Sequence, residues 1–211
     1  VKERLVEVYS TENEQVDAIK QFLKNYGLTI ILAIVIGVGG IWGWKYWQSH
    51  QANRLQESAG EFATINEALT KPTPENIALA EKFVSETNDI YGALASLELA
   101  QLAIDANDLA KGETHLTKAI SMVKNEAFAD MLNLRLARVQ LALDKTDAAL
   151  ISLEQVKSKA WDGMKNYIRG DVLAKKGDNA GAAAAYRNAL NDENAGAIRS
   201  LVELKLNNLS N

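Results

Sequence analysis

Twenty consecutive residues without a charge, NYGLTIILAIVIGVGGIWGW at residues 25–44, lie between Lys24 and Lys45, and this run limits the possible folds more than any other feature. As an α-helix rising about 1.5 Å per residue it would extend roughly 30 Å, the hydrocarbon thickness of a bilayer. Tyr26 stands at one end, while Trp42, Trp44, Tyr46 and Trp47 cluster at the other, where amphipathic rings favour the membrane–water interface. A buried helix of a soluble protein needs no such length and does not place its aromatics at the ends. A cleavable leader fits poorly as well: 24 residues precede the run, WGWKYW follows it, and no small-residue A-x-A site is present. The sequence therefore predicts a transmembrane helix over residues 25–44, with a short segment before it (1–24) and one folded domain after it (45–211).

Orientation rests on the positive-inside rule. Lys2, Arg4, Lys20 and Lys24 precede the span, and Lys45 and Arg54 are the cations in the twenty residues after it, which favours an inside N-terminus. Nearest the bilayer the two sides tie at two cations each. The net charge of -4 divides into -1 before the span and -3 after it, so neither part has the basic footprint that phosphate-driven nucleic-acid binding requires. The absence of cysteine excludes disulfides, thiolate zinc sites and thiol catalysis, but is compatible with either side of the membrane.

Before the span, Thr11 and Glu14 have capping-box spacing, and Val16, Ile19, Phe22, Leu23 and Tyr26 recur at helical intervals, predicting an amphipathic helix that leads into the membrane. Such a helix would lie on lipid headgroups or offer a cytosolic contact surface. Within the span, Ala33, Gly37 and Gly40 share one helical face and Gly39 and Gly43 are four apart, spacings that let a second membrane helix approach closely. Gly37, Gly39 and Gly40 have the outline of a dinucleotide fingerprint, but Trp42 occupies the third glycine position and no strand precedes it.

After the span nothing alternates like strands. Breaks at TKPTPE, TNDIYG, ANDL, KNEA, DKTD, KAWDG, KKGDN and NDENAG divide an alanine- and leucine-rich sequence into helices of about 12 to 17 residues joined by short turns. Three segments repeat: ANDLAKGETHLTKAI (106–120), LDKTDAALISLEQV (143–156) and KGDNAGAAAAYRNAL (176–190). In each a small residue (Gly112, Ala149, Ala182) is followed four later by a large one (Leu116, Leu153, Tyr186) and three after that by Ala119, Val156 or Ala189. Leu99-Ala100 and Leu136-Ala137 stand equivalently in the preceding helices, with Gly170 matching the small position of the third. The spacing of 37 and then 33 residues brackets the tetratricopeptide length. Small residues where two helices cross let backbones come near, and large ones fill the gap to the next pair. The predicted fold is all-α: a single transmembrane helix followed by a tetratricopeptide-like solenoid of antiparallel helix pairs, with residues 196–208 as a capping helix. Residues 52–70 and 74–87 fit the helix rhythm of an earlier pair without its residue pattern. In the capping helix Leu201, Leu204 and Leu206 are read as one apolar side.

No chemistry of an enzyme is visible. His50 and His115 are far apart in sequence and are expected at the membrane interface and the surface, and no zinc-type His-Glu pair, Gly-x-Ser-x-Gly elbow or phosphate loop is present. No cofactor or metal is expected. A helical solenoid instead recognises partners on its concave face. The repeat register aims Leu94, Leu97, Gln101 and Ile104, then Met131, Leu134, Arg138 and Leu141, then Met164, Tyr167 and Asp171 towards that face; some of these leucines would pack against the next repeat instead. Tetratricopeptide clamps for a terminal carboxylate use several Lys, Arg and Asn residues there, and Arg138 alone is suitable, so a mostly apolar groove with adaptable methionines suits a partner helix or a non-native chain better.

Six stretches together resemble the family of ancillary SecYEG translocon subunits of Gram-negative inner membranes, the YfgM type: VEVYSTENEQVDAIKQF before the span, GVGGIWGWKYWQSHQ leaving it, YGALASLELAQ (91–101), NLRLARVQ (133–140), RGDVLAKKGD (169–178) and KLNNLS (205–210). The resemblance implies a single-pass inner-membrane protein with residues 1–24 in the cytoplasm and a tetratricopeptide-like domain in the periplasm. It also implies association with the SecYEG translocon and with the periplasmic chaperone PpiD, so that emerging secretory polypeptides meet chaperones. It carries over no catalytic residues. A different class of function is an adaptor for envelope signalling or assembly that works through its cytosolic N-terminal helix.

Overall fold

A computed structural model of the chain describes residues 12–193 and 195–209. Thr11, the first half of the expected capping box, lies outside the described residues. The described residues form the helices α1 (Glu12–Leu69), α2 (Pro74–Glu86), α3 (Ile90–Asp105), α4 (Leu109–Met122), α5 (Glu126–Ala142), α6 (Thr146–Glu154), α7 (Asp162–Lys175), α8 (Asn179–Leu190) and α9 (Arg199–Asn208), with 3₁₀ turns at Lys159–Trp161 and Ala195–Ala197.

The chain divides into two compact units, one up to Arg54 and one from Leu55 onward. In the first unit α1 is apolar on every side over residues 25–44. Leu28, Ile36, Trp42 and Tyr46 are each more than 70% exposed, and an added Cβ at Gly37, Gly39, Gly40 or Gly43 would meet nothing within 4 Å. A helix hydrophobic all round has to be covered by lipid or protein. Among the described residues this is the one helix long and apolar enough to cross a membrane. Trp44 and Trp47 rings lie 5.4 Å apart, and Tyr46 stacks on His50 at 6.4 Å. The sequence reading divides this region into an amphipathic helix, a span and a helix at 52–70. The structure runs all three as α1, because both prolines of the chain lie beyond Leu69 and the residues that follow Trp44 are mostly good helix formers.

The second unit is built by short links. Pro74 sits at the first turn of α2, the Thr73 hydroxyl accepts from Asn76 N, and the Asn76 amide donates back to the carbonyls of Ala68 and Lys71. α3, α4 and α5 begin with Asp89, Asp108 and Asn125 accepting from backbone N–H groups of their own first turns. The turns that reverse the chain between α3 and α4, α5 and α6, and α7 and α8 share one geometry. Asn107 and Asp144 (φ 60°) and Gly177 (φ 81°) are left-handed. The N–H of the next residue returns to the carbonyl five back: Asp108 to Ala103, Lys145 to Gln140, and Asp178 to Leu173, at 2.8–2.9 Å. This is the Schellman closure, which leaves the chain pointing back along the helix it has just left. Asp108 and Asp178 then cap the next helix, whereas Lys145 makes no side-chain cap.

Packing follows the repeat. Gly112, Ala149 and Ala182, Leu116, Leu153 and Tyr186, and Ala119, Val156 and Ala189 are all buried, as are Leu99, Ala100, Leu136, Ala137 and Gly170. α5 separates two apolar clusters. Leu132, Leu136 and Val139 join the one running from Ile65 on α1 through α4, while Leu134 and Ala137 join the one running to Val202 on α9. α9 departs from expectation: Val202, Leu206 and Leu209 form its inward face, and Leu201 and Leu204 are exposed. The buried positions recur at helical intervals of four and three, and Leu201 and Leu204 fall on the other side.

Candidate partner-binding surface

The inner register of α3, α5 and α7 divides into residues committed to the core and residues open to a ligand. Leu134 is 5% exposed and Tyr167 8%; both belong to the second cluster. Ile104 is half-buried against α4, where its Cγ1 lies 2.7 Å from the place a Gly112 Cβ would occupy, and Leu141 packs on the second cluster. Leu94, Leu97, Met131 and Met164 are half-buried, Leu97 and Met131 packing by one side on the first cluster and Met164 on the second, and Gln101 and Arg138 are exposed. These six, with the half-buried Ile104 and Leu141 at their margin, form the accessible part of the surface.

The polar members have different partners. The Gln101 amide donates to Asp105 Oδ1 at 2.8 Å, one turn along α3. Arg138 Nη2 on α5 reaches the Met164 sulfur on α7 at 2.9 Å, so the structure brings these two predicted residues together. Asp171 accepts from the Tyr186 hydroxyl and from Lys205 Nζ, both at 2.6 Å, and Lys205 also lies 5.2 Å over the Tyr167 ring. Burial pushes the Tyr186 hydroxyl well above the ordinary tyrosine range, and the hydrogen bond and negative charge of Asp171 push the same way. Burial opposes the charge on Lys205, but the hydrogen bond and charge of Asp171 outweigh it and hold its pKa above the usual lysine value.

Three polar arrangements go beyond the sequence reading. Asp130, 2% exposed on α5, accepts from the backbone N–H groups of Lys157 and Ser158 at 2.9 Å each and so anchors the link into α7. Gln140, also buried, accepts from the Ser152 hydroxyl at 2.7 Å and donates to Glu113 at 3.3 Å, and Lys145 closes on the same Glu113 at 2.5 Å. Lys176–Asp147 and Lys175–Asp144 tie the following turns together. The third arrangement is the Asp171, Tyr186 and Lys205 group, whose available signal was spacing: Lys205 stands 34 residues after Asp171, one repeat on. His115, expected at the surface, is half-buried. Burial lowers its pKa, Glu81 and Asp108 oppose that and Lys111 reinforces it.

The structure thus offers a half-apolar strip crossed by one exposed guanidinium, suited to binding a chain. The tetratricopeptide repeat-like domain family model matches residues 20–211. The chain is similar to the ancillary SecYEG translocon subunit of Escherichia coli strain K12, at 37% identity, covering 97% of this chain and all of the relative. It is similar to the proteins of the same name from Haemophilus influenzae (32% identity, 95% and 99% covered) and Aggregatibacter actinomycetemcomitans (36%, 95% and 99%). No solved structure matches the chain.

Proposed function

The chain belongs to the tetratricopeptide repeat-like family that includes the ancillary SecYEG translocon subunits, and on that premise we propose that it is a non-enzymatic ancillary subunit of the translocon in the bacterial inner membrane. The observation that carries the proposal is kinship across both units, the membrane-length apolar helix as well as the helix pairs. α1 anchors the chain, with residues 1–24 in the cytoplasm and residues 45–211 in the periplasm, an orientation supported by the cations that precede the apolar run. The inner strip of α3, α5 and α7 binds partner proteins beside the translocon exit. These are the translocon itself, the periplasmic chaperone PpiD, and emerging secretory polypeptides on their way to chaperones.

Affinity comes from burying Leu94, Leu97, Met131 and Met164 at about 25 cal/mol per Å² of apolar surface. Methionine side chains adapt to different shapes, which suits a surface that meets many sequences. Confinement to the membrane plane raises the effective concentration of the strip, so weak contacts suffice.

Site-specific photocrosslinking in native membranes tests this. Probes at Leu97 and Met131 are compared with one at exposed Lys118 on α4; Leu134 is too buried to report. Capture of translocon subunits, the chaperone or secretory chains from Leu97 and Met131, and not from Lys118, is the expected result. Capture of cytosolic proteins alone reverses the orientation and favours the adaptor class of function. Identical products from all three positions refute the strip as the binding surface.

A further inference from the structure

The accessible strip is apolar except for Gln101 and Arg138, and the charges of the register are unequally committed. Asp171 is satisfied within the fold by Tyr186 and Lys205, and Gln101 is held by Asp105. Arg138 is exposed, its hydrogen bond goes to a thioether, and among the described residues no salt bridge reaches it. A thioether is a weak acceptor, whereas a guanidinium carries five donors in a fork matched to a carboxylate. Met164 lies against Arg138, and Met131 stands two turns before it on the same side of α5.

We propose that Arg138 reads an acidic side chain on an amphipathic partner helix, whose apolar side chains one turn to either side of the acid rest on Met131 and Met164. The inference deepens the proposed function and rests on it. Charge complementarity selects the acid, and the apolar flanks select a helix, because a helix places residues three and four positions from the acid on the same face. A chain-terminal carboxylate fits less well: it calls for several converging donors, and beside Arg138 this register carries the acidic Asp171, which already holds the nearby cation Lys205.

The test uses full-length protein in nanodiscs and a labelled, amidated helical peptide of about 16 residues, long enough to hold helical structure when stapled. The peptide has one central glutamate with leucines three and four positions to either side. Matched peptides carry glutamine or lysine at the centre, and a fourth carries glutamine with a free terminal carboxylate. By fluorescence anisotropy the glutamate peptide binds about tenfold tighter than the glutamine peptide, as expected for a charge-assisted, partly exposed pair, and the lysine peptide binds weakest. Arg138→Glu inverts the order and Arg138→Gln abolishes it; peptide uptake by lipid is independent of residue 138. Equal binding of the glutamate, glutamine and lysine peptides overturns this inference and leaves the strip intact. Glutamate-like affinity of the free-carboxylate peptide also overturns it, in favour of chain-end recognition. No peptide binding overturns the helical occupant; if the Leu97 and Met131 crosslinks are empty too, the proposed function falls with it.

Discussion

Gly170 on α7 sits where the third helix pair crosses most closely, and replacing it by alanine sets two effects of opposite sign against each other. A Cβ there would lie 2.3 Å from Tyr186 Cε1, 2.4 Å from Cδ1 and 2.9 Å from Cζ. Carbon atoms pack best at about 3.5–4.0 Å, so the ring or the helix has to move by more than an ångström. The ring has little freedom: Tyr186 is 2% exposed and its hydroxyl is held by Asp171, itself held by Lys205. With three contacts below 3.0 Å on a held ring, the overpacking cost falls in the upper part of the usual range, about 2–3 kcal/mol, while Gly to Ala inside a helix returns about 1 kcal/mol. The expected net loss for Gly170→Ala is about 1–2 kcal/mol. At roughly 2–4 °C per kcal/mol for a domain of this size, Tm falls by about 2–8 °C. Thermal and urea unfolding of full-length protein in detergent, followed by far-UV circular dichroism, measures it. In a Tyr186→Leu background the ring is gone and Gly170→Ala becomes stabilising by about 1 kcal/mol, the propensity gain alone. A stabilising Gly170→Ala with Tyr186 present, or the same penalty in both backgrounds, refutes the close-crossing argument.

At the left-handed turn, Gly177→Ala costs about 1–2 kcal/mol because its φ of 81° is strained for a residue with a Cβ, whereas Asp144→Gly at φ 60° is near neutral, the relieved strain offsetting the lost Lys175 pair. Both are read from urea midpoints, and an unchanged Gly177→Ala midpoint counts against the turn geometry. Asp130→Ala strands two backbone donors and destabilises by about 2–4 kcal/mol, with Asp130→Asn intermediate because it keeps one acceptor oxygen; equal effects of the two substitutions would deny the paired hydrogen bonds. Tyr186 and Lys205 both have folded-state pKa values above their ordinary 10.0 and 10.5. Their stabilisation is therefore fully present below those values and is lost as pH rises through the higher folded values. Lys205→Met combined with Tyr186→Phe should flatten the fall in urea midpoint above about pH 10, and an unchanged alkaline profile would sink the assignment.

Much of this architecture could be read before any tertiary contact was known, and particular residues show why. The apolar run at 25–44 is a property of local composition, and a membrane-length helix follows from 20 uncharged residues at 1.5 Å each. The buried set Gly112, Leu116 and Ala119, with its counterparts in the later repeats, follows from spacing on a single helix. Asn107, Asp144 and Gly177 mark their turns because few residue types tolerate a left-handed backbone. The extent of α1 is also a local matter: the helix rhythm assigns 52–70 to a separate helix, whereas no proline interrupts the run beyond Trp44 and the helix continues to Leu69.

The proposed binding strip was only half legible. Leu97, Leu134 and Tyr167 occupy equivalent places in their repeats, yet Leu134 and Tyr167 are buried in the second cluster while Leu97 stays partly open. Register gives direction from the helix axis; the depth of the neighbouring helix at that point decides exposure. In the same way, the outward Leu201 and Leu204 of α9 depend on which side of that helix α8 covers.

By itself, then, the sequence determined the membrane-length helix, the number and rhythm of the helix pairs and the residues at their crossings, because each of these is a periodicity expressed within a few turns of one helix. Only the tertiary structure decided the pairing of Asp130 with residues 157 and 158, of Glu113 with Lys145, of Arg138 with Met164 and of Asp171 with Lys205. These partners lie 26 to 34 residues apart, and their meeting depends on how far each helix pair is rotated and displaced against the next. That superhelical step is the sum of many side-chain volumes at the crossings, and no short stretch of sequence encodes it.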